Sequence, residues 1–475
     1  MKKTCTARPW TVNSSAMMGL LMSALTLPAT VMGADLNEIY QRALRNDPQL
    51  REAENNYQAA LEAKPQAVAE LLPQVTGTAG YVHDNNDTQS PYLSGTGTSA
   101  SFSTIRQISS SNTQQWGLSL RQTILDFDKL IKVKQTDAQI AQATVNVHAA
   151  QQDMILRAAT AYFNVVDADD ALNFSKASQE AILRQLEQAQ KRFEVGLIAV
   201  TDVEDARAAA DQATASVIAA KRALADARDR LREITGSDAT ALAEAGDDLP
   251  LVTPDPVNED AWVKSAMEQN FALLSARYAT DIARDQINRS RSGFAPTLSF
   301  VASRTSNDST GNILYQGFGG ELPNNGQVFD NQIGIQFTIP LYNGGADTSR
   351  VKESVYRHRA AQEHLEYTAR ATERAARDAY RGVVSSISQV KAYQQAVSSS
   401  KIALEATEAG YDVGTRTAVD VLLSRQRYFD ALSNYSKARS TYILNTLTLK
   451  QITGSLTPEA IHQVNGWLSK ITSIQ

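Results

Sequence analysis

Cysteine is almost absent from this chain of 475 residues, and aromatic side chains are scarce at 7 % of the total. The one cysteine, Cys5, lies in an N-terminal segment with the features of a signal peptide. The mature chain would therefore form no disulfide and no thiolate metal site. Its 24 glycines and 13 prolines cluster between long stretches that contain neither. This distribution favours long helices over a compact core.

The first residues predict export of the chain. They combine a basic start, an apolar stretch too short to span a bilayer, and small residues before Asp35. We therefore assign residues 1–34 to a signal peptide. Removing their three basic and no acidic residues takes the net charge from −5 to −8, which argues against a nucleic-acid partner.

Sequence patterns typical of enzymes are also missing. The chain has no nucleophile elbow, no phosphate-binding loop and no paired-carboxylate motif. Its five histidines are scattered. The two nearest, His358 and His364, are six residues apart, which does not put two ligands on one helix face. We therefore expect no enzymatic activity, no cofactor and no bound metal.

A long internal repeat is present instead. Residues 192–236 align without a gap with residues 410–454, at an offset of 218. Each copy contains a glycine turn and an Asp, followed by a long stretch without Gly or Pro, as expected where a helix ends, turns and restarts. Two copies at one spacing predict an internal duplication. The shared positions include Val195/Val413, Gly196/Gly414, Asp202/Asp420, Val203/Val421, Arg207/Arg425 and a final Ile-Thr-Gly.

The two halves predict the same order of elements, and we place the boundary between them after residue 253. Residues 35–253 predict two helical pieces over 35–71, a β-hairpin over 72–125, a long helix over 126–195, a return helix over 201–234 and a connector over 237–257. Residues 254–475 predict a helical region over 257–291, a hairpin over 296–341, a long helix over 346–413, a return helix over 418–452 and a short C-terminal tail.

The strands of the two hairpins each have one apolar face. Apolar residues alternate with polar or small ones at the end of each hairpin, which predicts strands with one apolar side. The polar stretches 83–115 and 306–330, rich in Ser, Asn and Gly, predict long loops. The alternating apolar residues are Trp116, Leu118, Leu120 and Ile124 in the first half, and Ile333, Ile335, Phe337 and Ile339 in the second.

The stretch 126–195 contains neither Gly nor Pro. A single helix of that length would reach roughly 105 Å. Apolar and Ala positions recur along it every seven residues, and a repeat of this kind predicts a left-handed coiled coil.

Four strands per chain cannot close a barrel, and open strand edges in lipid are too costly to exist. Bacterial outer-membrane barrels begin at eight strands. Two copies of the chain would supply eight strands and three copies would supply twelve. A small soluble sheet at the end of a coiled coil is the alternative that the pattern leaves open.

Several motifs occur together in a highly specific order and spacing. Through them the chain is similar, over its mature length, to the TolC family of outer-membrane channel-tunnels. They are Ala161-Tyr162-Phe163-Asn164-Val165, Arg192-Phe193-Glu194-Val195-Gly196-Leu197, Thr201-Asp202-Val203, Pro340-Leu341-Tyr342-Asn343-Gly344-Gly345 and Gly410-Tyr411-Asp412-Val413-Gly414-Thr415-Arg416-Thr417.

This resemblance implies an α+β membrane protein in the outer membrane of a Gram-negative bacterium. A homotrimer would form a 12-stranded β-barrel, continued by an α-helical coiled-coil barrel across the periplasm, with a mixed equatorial region between. Its implied partners are outer-membrane lipid, a periplasmic adaptor protein and an inner-membrane efflux or ABC transporter. The channel would be a passive exit duct for efflux pumps or type I protein secretion. The sequence does not distinguish small molecules from secreted polypeptides as the cargo.

The resemblance also assigns roles at the two glycine turns. The turns at Gly196 and Gly414 would form the periplasmic tips of the helices. Residues that match the family's motif would hold the entrance closed, and others would line the constriction. A second acidic ring of the family is replaced here by a leucine, which predicts an apolar constriction beside one carboxylate ring. The latch residues are Thr201, Asp202, Tyr411 and Arg416, and the constriction residues are Asp420 and Leu423.

Other roles for these residues and for the chain remain possible at this point. Asp202 and Asp420 also suit helix capping, because an Asp near a helix N-terminus is stabilising. The whole chain could instead be a periplasmic coiled-coil adaptor without a pore, or a trimeric surface stalk. An adaptor would extract as a soluble protein, and a stalk would show no single-channel conductance.

Overall fold

The computed structural model describes residues 35–95, 97, 100–238, 241–245, 249–316 and 320–473. The predicted signal peptide over 1–34, with Cys5, lies outside these residues. Within the described part of the chain, no helix is long and apolar enough to cross a membrane.

Both halves contain a β-hairpin, a long helix and a return helix in the same order. The first half contains α1 (Leu36–Asn46), α2 (Pro48–Leu61), α3 (Ala63–Ala69), β1 (Gln74–Ser94), β2 (Ser101–Leu125), α4 (Phe127–Glu194), α5 (Val200–Thr235) and β3 (Ala241–Ala245). The second contains α6 (Glu259–Gln269), α7 (Phe271–Ser292), β4 (Thr297–Gln316), β5 (Glu321–Pro323), β6 (Gly326–Thr338), α8 (Ala346–Asp412), α9 (Ala418–Ile452), α10 (Pro458–Asn465) and β7 (Leu468–Ser473).

The four long helices match their predicted bounds to within one residue. Their stretches contain almost no helix breakers, and local signals mark their ends. The Asp126 side chain caps α4 by accepting bonds from the backbone N–H groups of Asp128 and Lys129 at 3.0 and 3.4 Å. Gly236 ends α5 in the left-handed conformation, with φ +70°.

The shorter helices correct the prediction. Residues 35–71 form three helices instead of two, because Pro48 occupies the first position of α2 and Pro65 lies in the first turn of α3, where proline is tolerated. The region 257–291 is interrupted at Asn270, whose side chain caps α7 through Leu273 N–H at 3.0 Å. The connector 237–257 contains strand β3, and the C-terminal tail contains α10 and β7.

The predicted loops at 83–115 and 306–330 are wrong, because most of both segments is strand. β1 and β2 pair without interruption from Gln74↔Arg121 to Ser94↔Ser101. An antiparallel ladder joins backbone groups whatever the side chains are. Strands rich in Ser, Thr and Asn can therefore pair, provided that at least one face of the sheet is not buried in an apolar core. Side-chain polarity alone does not distinguish such a strand from a loop.

One sheet contains all the long strands, in the order β1–β2–β4–β6, with the short β5 also paired to β4. The register supports the predicted apolar face, since Leu120 lies opposite Ala302 and Ala302 lies opposite Ile333. Trp116, Leu118, Ile335 and Phe337 are all exposed on this single chain. β1 and β6 are the edge strands, so each has one side without a strand partner in the described chain.

The helices next to the sheet lie in the same order as the strands. α3 leads into β1, β2 leads into α4, α7 leads into β4 and β6 leads into α8. α4 packs against α3 and α7, and α7 packs against α8. Each strand therefore continues a helix of the row α3–α4–α7–α8. The chain is a strip four elements wide, with an open edge on either side.

The largest buried cluster lies around the middle of α4. Tyr162 and Phe163 of α4 and Tyr442 of α9 are buried to 1 % exposure or less. The Tyr162 hydroxyl donates to the Ala243 carbonyl in β3 at 2.6 Å, and β3 pairs with β7. α1 packs against α4, α5 and α10 in the same region. Segments from both ends of the chain therefore meet midway along the long helices.

The glycines that end the two return helices have equivalent neighbours. Gly236 and Gly454 have φ values of +70° and +69°. Gly236 lies against Asn46, and Gly454 lies against Gln269. Both neighbours stand at the end of the first helix of their half, α1 or α6. A Cβ on Gly236 would have ordinary contact at 3.4 Å, whereas a Cβ on Gly454 would approach the Gln269 carbonyl oxygen to 2.4 Å.

We expect Gly454→Ala to destabilise the protein more than Gly236→Ala. Both changes impose a left-handed conformation on alanine, which costs about 1–2 kcal/mol. Only Gly454→Ala adds a clash with backbone, and overpacking typically costs about 1–3 kcal/mol more. Thermal unfolding followed by circular dichroism should rank wild type, Gly236→Ala and Gly454→Ala in falling order. Equal melting temperatures for the two variants would contradict the close contact at Gly454.

Candidate channel entrance

The tips of the two helix pairs have the same backbone turn. Gly196 and Gly414 have φ values of +76° and +79°, a conformation that glycine adopts without strain. The N–H of Leu197 donates to the Arg192 carbonyl at 2.9 Å, and the residue after Gly414 makes the same bond at 2.8 Å. The predicted turn positions are therefore equivalent in geometry as well as in sequence.

The helices that follow the turns begin differently. α9 starts with a capping box, in which the Thr417 hydroxyl accepts from the Asp420 N–H at 3.2 Å. The Asp420 carboxylate in turn accepts from the Thr417 N–H and hydroxyl, each at 2.9 Å. The capping role considered for Asp420 is therefore confirmed. One of its oxygens is committed to the start of α9.

Asp202, the repeat counterpart of Asp420, has no such bond. Ala199 stands at the N-cap of α5 and offers no side-chain acceptor. Asp202 is half-buried in the first turn of α5, next to Thr201. No hydrogen bond or ion pair to its carboxylate exists among the described residues of this one chain. This carboxylate is available to a group from outside the chain.

The bonds from Thr417 also set the charge state of Asp420. The backbone N–H and the hydroxyl of Thr417 hold the pKa of the Asp420 carboxyl below its usual range, and the nearby Arg416 cation acts in the same direction. Asp420 is therefore ionised throughout the neutral and mildly acidic range. It is the negative group that the constriction would present.

Tyr411 contacts the other helix pair through Arg192. The Arg192 guanidinium lies over the Tyr411 ring, with its central carbon 4.6 Å from the ring centroid, and approaches the Asp412 carboxylate to 3.9 Å. The Tyr411 hydroxyl is buried but makes no hydrogen bond within the described part of the chain. Arg192 was quoted only as part of a motif, and spacing alone gave no signal of this contact.

Arg416 remains close to its own turn. Its side chain lies against Gly410, and no ion pair involves it among the described residues. The structure thus brings neither Arg416 nor Tyr411 into contact with Asp202 inside one chain. The latch role that the resemblance assigns to Thr201, Asp202, Tyr411 and Arg416 stays a prediction.

A further polar group joins the helix pairs above the tips. Arg425 of α9 pairs with Glu408 of α8 and donates to the Ala181 carbonyl of α4 at 2.8 Å. Its repeat counterpart, Arg207, is exposed and, among the described residues, pairs only with Glu204 on its own helix. The sequence identity of the two arginines therefore gave no indication of which one joins different helices.

The helices near the tips form the row α5–α4–α9–α8. α4 packs against α5 and α9, and α9 packs against α8. Thr201 and Asp202 begin α5 at one end of the row, whereas Tyr411 ends α8 at the other. Within the described part of one chain, these groups therefore do not meet.

Comparison with known families agrees with this architecture. The family model described as outer membrane efflux protein matches residues 39–237 and 262–455. The chain belongs to the outer membrane efflux protein family. Members of this family are outer-membrane channel proteins rather than enzymes, and the localisation expected from the sequence is confirmed.

Characterised relatives extend along nearly the whole chain. The outer membrane protein TolC of Vibrio cholerae is 37 % identical over 447 residues, which cover 93 % of this chain and 96 % of the relative. TolC of Escherichia coli K12 is 35 % identical over 459 residues, which cover 96 % of this chain and 89 % of the relative. The alkaline protease secretion protein AprF of Pseudomonas aeruginosa is 26 % identical over 88 % of this chain and 84 % of the relative.

The fold of the family is also found among solved structures. The Campylobacter jejuni CmeC outer membrane channel superposes with a TM-score of 0.68 over 91 % of this chain and 90 % of that one, at 18 % identity. The resemblance seen in the sequence is therefore confirmed for the family and for the fold.

We expect Thr417→Val to raise the pKa of Asp420 toward the ordinary range, because the hydroxyl that stabilises the carboxylate is removed. If Asp420 lines the pore, the ratio of K⁺ to Cl⁻ permeability should then decline at a higher pH than in wild type, because the carboxylate is protonated at a higher pH. Bilayer recordings of ion selectivity from pH 7 downward would measure this. Thr415→Val is the matched control, since Thr415 donates to the Gly410 carbonyl instead. An unchanged pH profile in Thr417→Val would refute the assignment.

Proposed function

We propose that three copies of this chain form an outer-membrane channel-tunnel, the passive exit duct of a tripartite efflux pump or a type I secretion system. The observation that carries the proposal is the strip with two open edges. β6 of one copy can pair with β1 of the next, while α8 packs beside the next copy's α5 and α3. The sheet and the row of helices would both close around one axis.

Closure in lipid needs more than one copy. Strand edges cannot stay open in a bilayer, and four long strands are too few for a barrel. Three copies supply the 12 strands that the family resemblance implies. The internal duplication would then give the ring six similar units. A periplasmic adaptor or a surface stalk has no use for a sheet whose apolar face is exposed, with Ile333 77 % and Ile335 69 % accessible.

The partners follow from what the chain would do. A passive duct has no energy source of its own, so an inner-membrane transporter must supply the driving force, and an adaptor must join the two across the periplasm. Among relatives, AprF is a protease secretion protein and CmeC is an outer membrane channel. Small molecules and secreted polypeptides are therefore both candidate cargoes.

We expect Ile335→Arg to prevent stable insertion and Gln336→Arg to be tolerated. The two residues are neighbours on β6, and successive side chains point to opposite faces of a sheet. A charge on the lipid face costs up to about 2–4 kcal/mol for Arg. Membrane fractionation and the mass of the extracted oligomer would measure the result, with a trimer expected for wild type and Gln336→Arg. A conducting wild-type monomer, or equal loss in both variants, would contradict the barrel.

The entrance would be held closed by contacts between copies. With the row α5–α4–α9–α8 repeated around a ring, the Asp202 carboxylate on α5 would lie beside Tyr411 and Arg416 of the adjacent copy. Each group has unused bonding capacity: Asp202 and Arg416 lack partners in the described chain, and the buried Tyr411 hydroxyl needs an acceptor. Thr201 would add a hydroxyl at the same place.

Such contacts suit a latch better than a structural support. A partly exposed ion pair contributes about 1 kcal/mol or less, which is small beside the buried cluster around Tyr162. Three copies acting together would bias a closed-to-open equilibrium by several kcal/mol, which is enough to shift the populations. Asp420 and Leu423 would form the narrow part, with Arg192 keeping Tyr411 in position.

We expect Arg416→Ser combined with Tyr411→Phe to open the entrance without reducing the amount of trimer. Single-channel conductance should rise, and cells should become sensitive to large antibiotics. Arg207→Ser is the control, because this exposed arginine stands at the equivalent of Arg425 and pairs only within α5. Loss of trimer in the double variant, with normal conductance per remaining channel, would show that the residues are structural.

A further inference from the structure

The face of α9 that carries the half-buried Asp420 also carries two exposed residues. Asp420, Leu423 and Arg427 are three and four residues apart, so they lie on one side of the helix. Leu423 and Arg427 are both exposed. The opposite side is covered, since Val421 is buried and Arg425 bonds to α4.

The direction of Arg427 follows from that of Arg425. Two residues along a helix differ by about 200° around its axis. Because Arg425 points to α4, Leu423 and Arg427 both point away from α4. They therefore share the open side of α9 with Asp420. If Asp420 faces the bore, as the proposed function requires, Arg427 faces it too.

Arg427 has no charge partner on this side. No hydrogen bond or ion pair to its guanidinium occurs among the described residues. Asp420 lies seven residues away, or about 10.5 Å along the helix, and Leu423 stands between them. Asp430, one turn above, lines the groove between α9 and α4–α5 together with Phe174. An arginine remains charged at any physiological pH.

We propose that Arg427 forms a basic ring in the bore, just inside the apolar Leu423 ring, and that this ring makes the entrance favour anions. The proposal rests on the trimeric channel proposed above. On each copy, Asp420, Leu423 and Arg427 would follow one another from the tip inward, so the Arg427 cation faces the same bore as one carboxylate. One oxygen of that carboxylate is committed to the cap of α9.

The chemistry of the ring defines what it would recognise. Guanidinium groups bind carboxylates and phosphates through paired N–H donors. Three of them around a narrow bore would attract cargo that carries such groups and would repel cationic cargo. The Asp420 ring alone would have the opposite effect. The arginine therefore turns a cation-attracting entrance into one that discriminates against cations.

Ion selectivity of the purified trimer in planar bilayers tests the proposal. The reversal potential in a KCl gradient gives the ratio of K⁺ to Cl⁻ permeability. We expect Arg427→Gln to raise this ratio at least about five-fold in dilute salt, because removing one unit charge about 4 Å away changes the occupancy of K⁺ alone by about that factor in water. Asp420→Asn should lower the ratio. Both effects should shrink in 1 M KCl, where the Debye length falls to about 3 Å.

Two variants separate the ring from other effects of charge removal. Arg427→Lys keeps the charge and should keep the wild-type ratio. Arg184→Gln removes an exposed arginine on α4 at a similar height, about 15 Å from the tip, which within the described chain pairs only with Glu180. This change should leave the ratio unaltered, because Arg184 is on α4 and not on the face of α9 that carries Asp420 and Arg427.

The outcomes distinguish this inference from the proposed function. A wild-type protein without conductance would overturn the channel and the ring together. A conducting trimer whose ratio is unchanged in Arg427→Gln, or changed equally in Arg184→Gln, would overturn the ring and leave the channel intact. A salt-dependent rise in Arg427→Gln alone, absent in Arg427→Lys, would support the ring.

Discussion

The unpaired backbone at the edges of β1 and β6 is the constraint on which the rest of this molecule depends. A strand edge exposes a row of N–H and C=O groups, and in lipid each unsatisfied group costs several kcal/mol. In a bilayer the sheet would therefore need neighbours on both sides. Because each strand continues a helix in the same order, the proposed pairing that closes the sheet would also place α8 beside the next copy's helices. The constraint in the membrane would thus be transmitted to the periplasmic end.

The buried cluster around Tyr162 and Tyr442 gives the strip its rigidity. Long helix pairs have only narrow seams along their length, whereas the middle of α4 is surrounded by α1, β3, β7, α9 and α10. Residues from the first and last parts of the described chain meet there. The tips, by contrast, are held by a small cluster of Ala189, Val203 and Ala206 and by polar contacts. A firm middle and weakly joined tips suit an entrance that opens while the barrel stays closed.

The repeat has kept its backbone geometry but not its chemistry. The two glycine turns have nearly the same φ values, and each return helix ends at a left-handed glycine. Side chains at equivalent positions now differ in what they contact. Asp420 is committed to a capping box because Thr417 precedes it, whereas Asp202 is unbonded because Ala199 precedes it. The two turns have the same backbone but different side chains. The Gly196 turn is therefore followed by the unbonded carboxylate of Asp202, and the Gly414 turn is followed by the cation of Arg416.

The sequence by itself determined the long helices, the return helices, the apolar faces of the strands and the family, because these depend on local periodicity, turn chemistry and motif order. It predicted loops where the polar parts of the strands lie. A segment rich in Ser and Asn has the same composition in a loop and in a strand with a solvent-facing side. Tertiary structure alone decided the strand order β1–β2–β4–β6, the contact of Arg192 with Tyr411 and the different roles of Arg425 and Arg207. Those depend on which elements become neighbours, and a pattern along one chain contains no distance between elements far apart in sequence.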